Sequence, residues 1–453
     1  MQRSLYTKLV ASALFPLHER LKGHTTTQIL KRLEKSQWLP PEKLESLRIE
    51  RLRVFLKEAQ LHAPYYRDLF HQIKFLPEQL TSLQDLQQIP LLDKSTIREY
   101  ALKLKADNID TLMPFNTGGS TGEPLIFYLS KDRVSHDVAA KWRATRWWGV
   151  DIGDPEVVIW GSPIELKSQD RLRKWRDHLL RSRLLPAFEM SKHNLDYFIA
   201  EIQRLCPKML FGYPSAIAHV ARHAQEYGAQ MNTLGIRVAF VTGERLYNNQ
   251  RLLIEEVFGC SVANGYGGRD AGFIAHQCQA GSLHIMAEDI VVELIDHKGK
   301  SVPMGDSGEI VITHLATNGF PFIRYRTGDI AAFDDQRCIC GRSLPVVKEI
   351  QGRTTDFIVA LDGTVMHGLA LIYVLRDLSG VRSFKIIQES KAEIRVLVIP
   401  TEKYDNLTGD LIRRGFQDRL GKEVSVIVNL VTEIPPERSG KFRYVVSHVI
   451  THP

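Results

Sequence analysis

The chain has 453 residues, 44% hydrophobic and 25% charged, with 59 basic and 52 acidic residues for a formal net charge of +7. These figures fit two or three globular domains with a core that needs no staples. They exclude disordered, collagen-like and disulfide-scaffold classes, and a thin basic excess without an aromatic-interleaved stripe argues against nucleic acid and for phosphate-bearing small ligands or an anionic membrane surface.

In chain order, residues 1–100 read as mostly helical. Residues 5–21 pattern as an amphipathic helix with Leu9, Leu14 and Leu17 on one side, a face that either packs on the core or rests on a membrane surface. Lys8, His18, Glu19 and Arg20 interrupt the apolar runs of residues 1–23, so no secretory pattern is expected. No apolar run reaches the ~18 residues needed to span a bilayer, and the expected location is cytoplasmic. Helical periodicity continues through 41–60 and 80–88, punctuated by Pro64, Pro77 and Pro90.

From about residue 112 the texture changes. Strand-like runs at 125–129, 157–160, 238–242, 290–295 and 310–313 alternate with helical stretches at 194–205 and 216–227, which predicts an α/β domain with mixed sheets. A break near Gly352 precedes a smaller α+β pattern: strand-like 357–361, helical 369–378, strand-like 395–399, helical 405–420 and strand-like 424–430. The expected domains are therefore 1–353 and 354–453.

The segment Asn116-Thr117-Gly118-Gly119-Ser120-Thr121-Gly122-Glu123-Pro124 lies between two strand-like runs. Its glycines permit positive φ and close approach. Successive N–H groups, with the Thr117, Ser120 and Thr121 hydroxyls, can form an anion-binding nest suited to a polyphosphate. No Gly-Lys-Ser/Thr follows, so it is not the common P-loop, and a plain hairpin tip has the same composition.

Thr117 to Pro124 resembles the phosphate loop of the adenylate-forming superfamily of acyl-CoA synthetases. Further segments resemble that superfamily's motifs in order. Gly243-Glu244 is similar to the segment beside the adenine. Asn264-Gly265-Tyr266-Gly267-Gly268-Arg269-Asp270 is similar to the motif whose tyrosine stacks on adenine and whose carboxylate holds magnesium. Tyr325-Arg326-Thr327-Gly328-Asp329 is similar to the ribose-gripping motif, Gly352-Arg353-Thr354-Thr355-Asp356 to the hinge, and Ser439-Gly440-Lys441-Phe442-Arg443 to the motif of the catalytic lysine. Phe211-Gly212-Tyr213-Pro214-Ser215, Cys338-Ile339-Cys340-Gly341-Arg342 and Pro64-Tyr65-Tyr66 are similar to phenylacetate–CoA ligase, and the Gly-Gly-Arg-Asp version of the tyrosine motif resembles its capsule and exopolysaccharide branch. Arg269 and Asp270 depart from the superfamily, where Ser or Thr and then Glu are usual. Arg269 can pair with a phosphate, with an acid substrate, or with Asp270 or Asp329.

The resemblance implies a large mixed-sheet α/β domain and a small α+β lid domain. It also implies ATP-dependent activation of a small carboxylic acid as an acyl-adenylate, then transfer to a thiol acceptor, coenzyme A. Thr117, Gly118, Gly119, Ser120, Thr121, Gly122, Gly243, Glu244, Tyr266, Gly267, Asp329 and Arg353 would hold ATP. Asp270 would hold Mg2+, Lys441, Asp270 and Arg269 would act in catalysis, Asp356 would be the hinge, and Tyr213-Pro214 would wall the acyl pocket. Ser439-Gly440 after Pro435-Pro436 is also ordinary turn composition. Alternatives are transfer to a carrier-protein thiol or to a sugar in surface-polysaccharide assembly, and a non-catalytic nucleotide-binding scaffold. A homodimer is common among relatives.

Five cysteines do not make a disulfide framework. Cys278, His284, Cys338 and Cys340 could close a tetrahedral structural Zn2+ site with no position open to water, with His276 as a rival fourth ligand. Cys206 and Cys260 read as lone core thiols.

Overall fold

The computed structural model describes residues 4–116, 125–160, 176–187, 192–296, 298–353, 357–361, 365–367, 369–376, 378–435 and 444–449. The glycine-rich stretch 117–124, Asp356 and Lys441 lie outside the described residues. Contacts divide the chain into two compact units, Met1–Thr327 with Ala331–Ile350, and Gly328–Ile330 with Gln351–Pro453.

The first unit begins with helices Leu5–Leu9, Val10–Leu14 (a π-turn) and Phe15–Leu21, followed by Thr26–Ser36, Pro41–His62 and Pro64–Gln72. Pro41 and Pro64 open their helices, where a missing N–H costs nothing. The helical periodicity at 80–88 becomes the 3₁₀ segments Pro77–Gln79 and Leu83–Gln88. The reason is local: the Asp85 carboxylate accepts from the backbone N–H groups of Thr81 (2.7 Å) and Ser82 (2.8 Å), which favours a tight cap over a continuing α-turn.

A short antiparallel hairpin, β1 (Met113–Asn116) and β2 (Ile126–Leu129), brackets the glycine-rich stretch. The main sheet has eleven strands: β3 (Glu156–Trp160), β4 (Ser182–Pro186), β5 (Met209–Gly212), β6 (Val238–Thr242), β7 (Ser261–Gly268), β8 (Gly272–Gln277), β9 (Leu283–Ile285), β10 (Ile290–Ile295), β11 (Ser307–His314), β12 (Tyr325–Asp334) and β13 (Val346–Arg353). Their order is β10-β11-β12-β13-β9-β8-β7-β6-β5-β3-β4. From β4 to β7 every pairing is parallel; β7–β8, β8–β9, β9–β13 and β10–β11 are antiparallel. In the parallel half both faces are covered, which is why β5 and β6 read as unbroken apolar runs. Helices Lys192–Leu205, Pro214–Glu226 and Asn248–Phe258 pack with Val157, Leu210, Ala239 and Val241. Phe211, Phe240 and Ala263 instead pack with Ala144 of helix Lys131–Trp147.

The second unit contains a two-stranded pair, β14 (Phe357–Val359) with β15 (Val365–His367), and a four-stranded sheet ordered β18-β17-β16-β19. Its strands are β16 (Val381–Ser390), β17 (Glu393–Pro400), β18 (Ser425–Leu430) and β19 (Val445–Ser447). Helices Leu369–Arg376 and Asn406–Leu420 accompany them. Alternating Ile394, Val396 and Val398 are buried, as are Ile412 and Phe416 on the second helix. The buried Gln388 amide donates to the Val359 carbonyl (2.7 Å) and accepts from its N–H (3.0 Å), tying β14 to β16.

Candidate functional site

The C-terminal ends of the parallel strands β3, β5, β6 and β7 line up side by side, the edge at which open α/β sheets present ligand-binding loops. Three of these ends, those of β5, β6 and β7, carry singled-out segments. β5 runs into Tyr213-Pro214, with Pro214 opening the next helix. β6 runs into Gly243-Glu244, and β7 contains Tyr266, Gly267 and Gly268. Trp160, at the end of β3, was not anticipated from the sequence. Its ring stacks on Tyr213, centroids 4.2 Å apart and planes 23° apart. A strand-terminal Trp followed by glycine was the only sequence signal for it.

Gly243 has φ +82°, and a Cβ there would lie 3.0 Å from the Tyr213 ring and 3.2 Å from Trp160, so this close turn excludes side chains. Glu244 Oε2 accepts the Ser215 N–H at 3.3 Å. Burial, helped by the Glu244 charge, pushes the Tyr213 hydroxyl above its ordinary range, so it stays protonated.

On β7 a register shift separates Tyr266 from Gly267 in the pairing with β8. A Cβ on Gly267 would fall 2.1 Å from the Gly272 carbonyl oxygen, and one on Gly265 would fall 2.8 Å from the Phe240 ring. The glycines flanking Tyr266 thus let β8 and Phe240 close in, and the Tyr266 ring remains half-buried.

The turn from β7 to β8 holds Arg269 and Asp270. The buried Tyr325 hydroxyl donates to Asp270 Oδ2 at 2.6 Å, and the Ala271 N–H donates to Oδ1 at 3.0 Å. Below the turn, the buried Arg133 guanidinium points both terminal nitrogens at the Asp270 carbonyl (3.4 Å each) and pairs through Nε with Asp137 (2.9 Å). Gly272 (φ +80°) lies against this cluster: a Cβ would be 2.8 Å from Arg133 Nη2 and His314 Nε2. Arg269 places its guanidinium 5.9 Å from the Phe115 ring on β1, the strand that leads into the glycine-rich stretch. Burial lowers its pKa, but a guanidinium remains charged throughout the physiological range.

The Asp270 carboxylate fits a hard cation: each oxygen is held by one donor and retains lone-pair capacity. Magnesium is commonly held by one or two carboxylates plus substrate phosphates. Asp329 lies on β12, within the stretch grouped with the second unit, and Arg353 ends β13.

Cys278, His284, Cys338 and Cys340 converge, with all four ligand atoms within 4.8 Å of one another. The β8–β9 hairpin closes the six-residue spacing between Cys278 and His284, since it pairs Gln277 with Leu283 and His276 with His284. Cys278 Sγ and Cys338 Sγ are 3.6 Å apart, and Cys340 Sγ is 3.2 Å from His284 Nε2. A disulfide would need ~2.05 Å; ligands of a tetrahedral ion bound at ~2.3 Å are separated by about 3.8 Å. His284 Nδ1 donates to the Leu344 carbonyl at 3.0 Å, leaving Nε2 as the ligand nitrogen, and the Cys340 N–H donates to Cys338 Sγ at 3.4 Å. The donor set and spacing therefore fit zinc, with His284 rather than His276 as the fourth member. His276 is buried with both ring nitrogens unpartnered, packed against Phe240 and Phe273 at 5.6 and 5.3 Å.

Cys260 is buried as expected, but Cys206 is exposed: it sits just past helix Lys192–Leu205, and its thiol donates to the Gln203 carbonyl at 3.1 Å.

Residues 358–448 match the family described as the CapK C-terminal domain. Protein CapK of Staphylococcus aureus is 23% identical over 410 residues, covering 90% of each chain. The phenylacetate-coenzyme A ligase of Thermus thermophilus is 25% identical over 330 residues, 71% of this chain and 73% of that one. Among solved structures, a 2-hydroxyisobutyryl-CoA ligase in complex with 2-HIB-AMP shares the fold with a TM-score of 0.74 and 22% identity, covering 91% of both chains. Ordered motifs, mixed sheet, small carboxy-terminal unit and these relatives agree: residues 358–448 match the CapK carboxy-terminal family, and the likeness along the rest of the chain supports a phenylacetate–CoA ligase-like, capsule-associated kinship within the adenylate-forming enzymes.

Proposed function

We propose that the chain is an AMP-forming acid–thiol ligase, which activates a carboxylic acid with ATP and passes the acyl group to coenzyme A. The observation that carries this reading is the row of parallel-strand ends, where Gly243-Glu244, Tyr266 and the Asp270 turn lie next to one another in the sheet.

A carboxylate is a poor electrophile. Attack of its oxygen on the α-phosphorus of ATP expels pyrophosphate and leaves an acyl-adenylate, whose carbonyl a thiol can then attack with loss of AMP. Negative charge grows on the phosphates during the first step, and fixed donors aimed there lower the barrier without reorganising. The half-buried Tyr266 offers a flat face for adenine, while Gly243 lets the β6 loop approach. Asp270, fixed by Tyr325 and Arg133, would hold the Mg2+ that neutralises phosphate charge. Arg269, next to β1, is placed to pair with an anionic oxygen of ATP or acid. The roles of residues 117–122 in cradling phosphates, Asp329 in gripping ribose, Arg353 in holding ATP, Asp356 at the hinge, and Lys441 at the reacting carboxylate rest on their motifs. The Trp160–Tyr213 stack is proposed as a wall of the acyl site with Pro214.

The direct test is acid-dependent exchange of labelled pyrophosphate into ATP, run with aromatic, fatty and hydroxy acids. Exchange with none of them would favour the nucleotide-binding scaffold. The match to the CapK domain favours a second acceptor reading, a carrier thiol or a sugar in surface-polysaccharide assembly. AMP release that requires coenzyme A supports the first reading; release that requires a sugar or carrier protein supports the second.

Cys278, His284, Cys338 and Cys340 are proposed as a structural zinc site, which would clamp the β8–β9 hairpin to the segment between β12 and β13. Elemental analysis of protein purified without added metal tests this: about one zinc per chain is expected, lost in Cys338→Ala.

A further inference from the structure

The amino-terminal helical segment carries two apolar faces. One is accounted for: Val10 and Phe15 are buried against Ile29, Leu30, Leu33, Ala139, Trp142 and Ile152. The segment is also pinned from this side, because Thr7 Oγ1 donates to Asp154 Oδ1 at 2.9 Å and the Tyr6 hydroxyl donates to the Leu179 carbonyl at 2.8 Å. Leu14 packs against this inner cluster, so it does not share a face with Leu9 and Leu17 as the periodicity alone implied.

The other face has no role in the core. Leu5, Leu9, Leu17 and Leu21 are 85%, 51%, 56% and 80% exposed, with exposed Ala13 between them, all at four-residue steps. In a pure α-helix four-residue steps drift ~40° each, and five such positions would spiral around the rod. The π-turn Val10–Leu14 takes more residues per turn and winds that drift back, so the leucines stay in one stripe.

The exposed charge on the segment itself has one sign. Lys8, Arg20 and Lys22 are exposed. The only acidic residue between positions 4 and 24 is Glu19, which is buried, accepts the Thr26 hydroxyl, and lies 3.2 Å from the Nδ1 atoms of His18 and His24. A long-side-chain apolar stripe that carries exposed cations and no exposed carboxylate within residues 4–24 complements an anionic bilayer surface, the exposed Asp132 at the start of the neighbouring helix being the acidic group beside it. A second copy of the same stripe would bring like charges together.

We infer that this segment docks the protein, in the plane of the interface, on anionic membranes. No helix among the described residues is long and apolar enough to cross one. The leucines would enter the acyl boundary, and Lys8, Arg20 and Lys22 would meet lipid phosphates.

The test is flotation of the full-length chain with vesicles of phosphatidylcholine alone or of phosphatidylcholine with one quarter phosphatidylglycerol. The wild type is expected to float with the anionic vesicles, less so in 0.5 M salt. Replacing Leu5, Leu9, Leu17 and Leu21 together by Gln should reduce partitioning by roughly tenfold or more, with pyrophosphate exchange unchanged because none of these residues lies at the strand-end site. Lys8→Glu/Arg20→Glu/Lys22→Glu should remove the preference for anionic vesicles, and it decides the matter if the Gln variant folds poorly. Absence of wild-type flotation overturns the inference, as does flotation that both variants leave unchanged. Self-association in ultracentrifugation, abolished by the Gln variant and unaccompanied by flotation, would assign the stripe to a second copy instead.

Discussion

The main sheet and its connections hold two clusters of candidate functional side chains, built on opposite plans. At the parallel-strand ends, Tyr266 on β7 and Arg269 and Asp270 on the turn after it are half-buried beside glycines, and Asp270 keeps lone-pair capacity beyond its two donors. At the antiparallel β8–β9 hairpin, Cys278 and His284 are fully buried, and four donors face one another with nothing left to offer a substrate. The first arrangement suits the proposed binding and release of ligand; the second suits the proposed structural clamp. Substitutions in the two regions should therefore separate rate from stability.

The largest expected effect is on rate. Lys441→Ala should slow acid-dependent pyrophosphate exchange by about 10²–10³, the usual scale for one positioned charge-stabilising group, with the melting temperature unchanged. Tyr325→Phe removes the 2.6 Å donor to Asp270 and should raise the Mg2+ concentration for half-maximal exchange by roughly tenfold, as expected for a hydrogen bond to a charged group. An unchanged magnesium requirement would detach Tyr325 from the site.

Cys338→Ala should do the reverse. We expect loss of bound zinc and a melting temperature lower by roughly 5–10 °C, while the folded fraction keeps its exchange rate. A loss of exchange without loss of stability would erase the contrast. Gly272→Ala sits between the regions. The +80° φ and the 2.8 Å approach to Arg133 and His314 predict about 1–3 kcal/mol of destabilisation, measured by denaturant unfolding.

The smallest effect is on pH dependence. Burial pulls His276 down to about 3 and His314 down to about 4, against the ordinary 6.5. Above pH 6.5 both folded and unfolded states are neutral there. Between 6.5 and about 4 the unfolded chain binds protons that the folded chain refuses, so stability falls as pH drops. Replacing the unpartnered His276 by Leu should make the acid-side decline in melting temperature shallower; an unaltered slope would place the titration elsewhere.

Much of this organisation was legible because it is local. Apolar runs such as Val238–Thr242 announced strands of an α/β domain with mixed sheets, and the glycines around Tyr266 marked the tyrosine motif that lies on β7. The spacing of Cys278 and His284 gave the ligand types, while the hairpin register that joins them required the fold. Trp160 was not singled out, Tyr325 was noted only within the ribose-gripping motif with no role toward Asp270, and Arg133 was not singled out. Each gains its place through partners 53, 55 and 137 positions away, at Tyr213, Asp270 and Asp270, and no periodicity encodes such contacts. Leu14 was misplaced because a π-turn alters the helical period that the pattern assumed.

The central claim is that the strand-end site adenylates a carboxylic acid. Pyrophosphate exchange into ATP measures that step alone, whatever the final acceptor. Exchange that appears only with an added acid, and collapses in Lys441→Ala while Cys338→Ala retains it, is the predicted result. No exchange with any acid from folded, ATP-binding protein would contradict the claim.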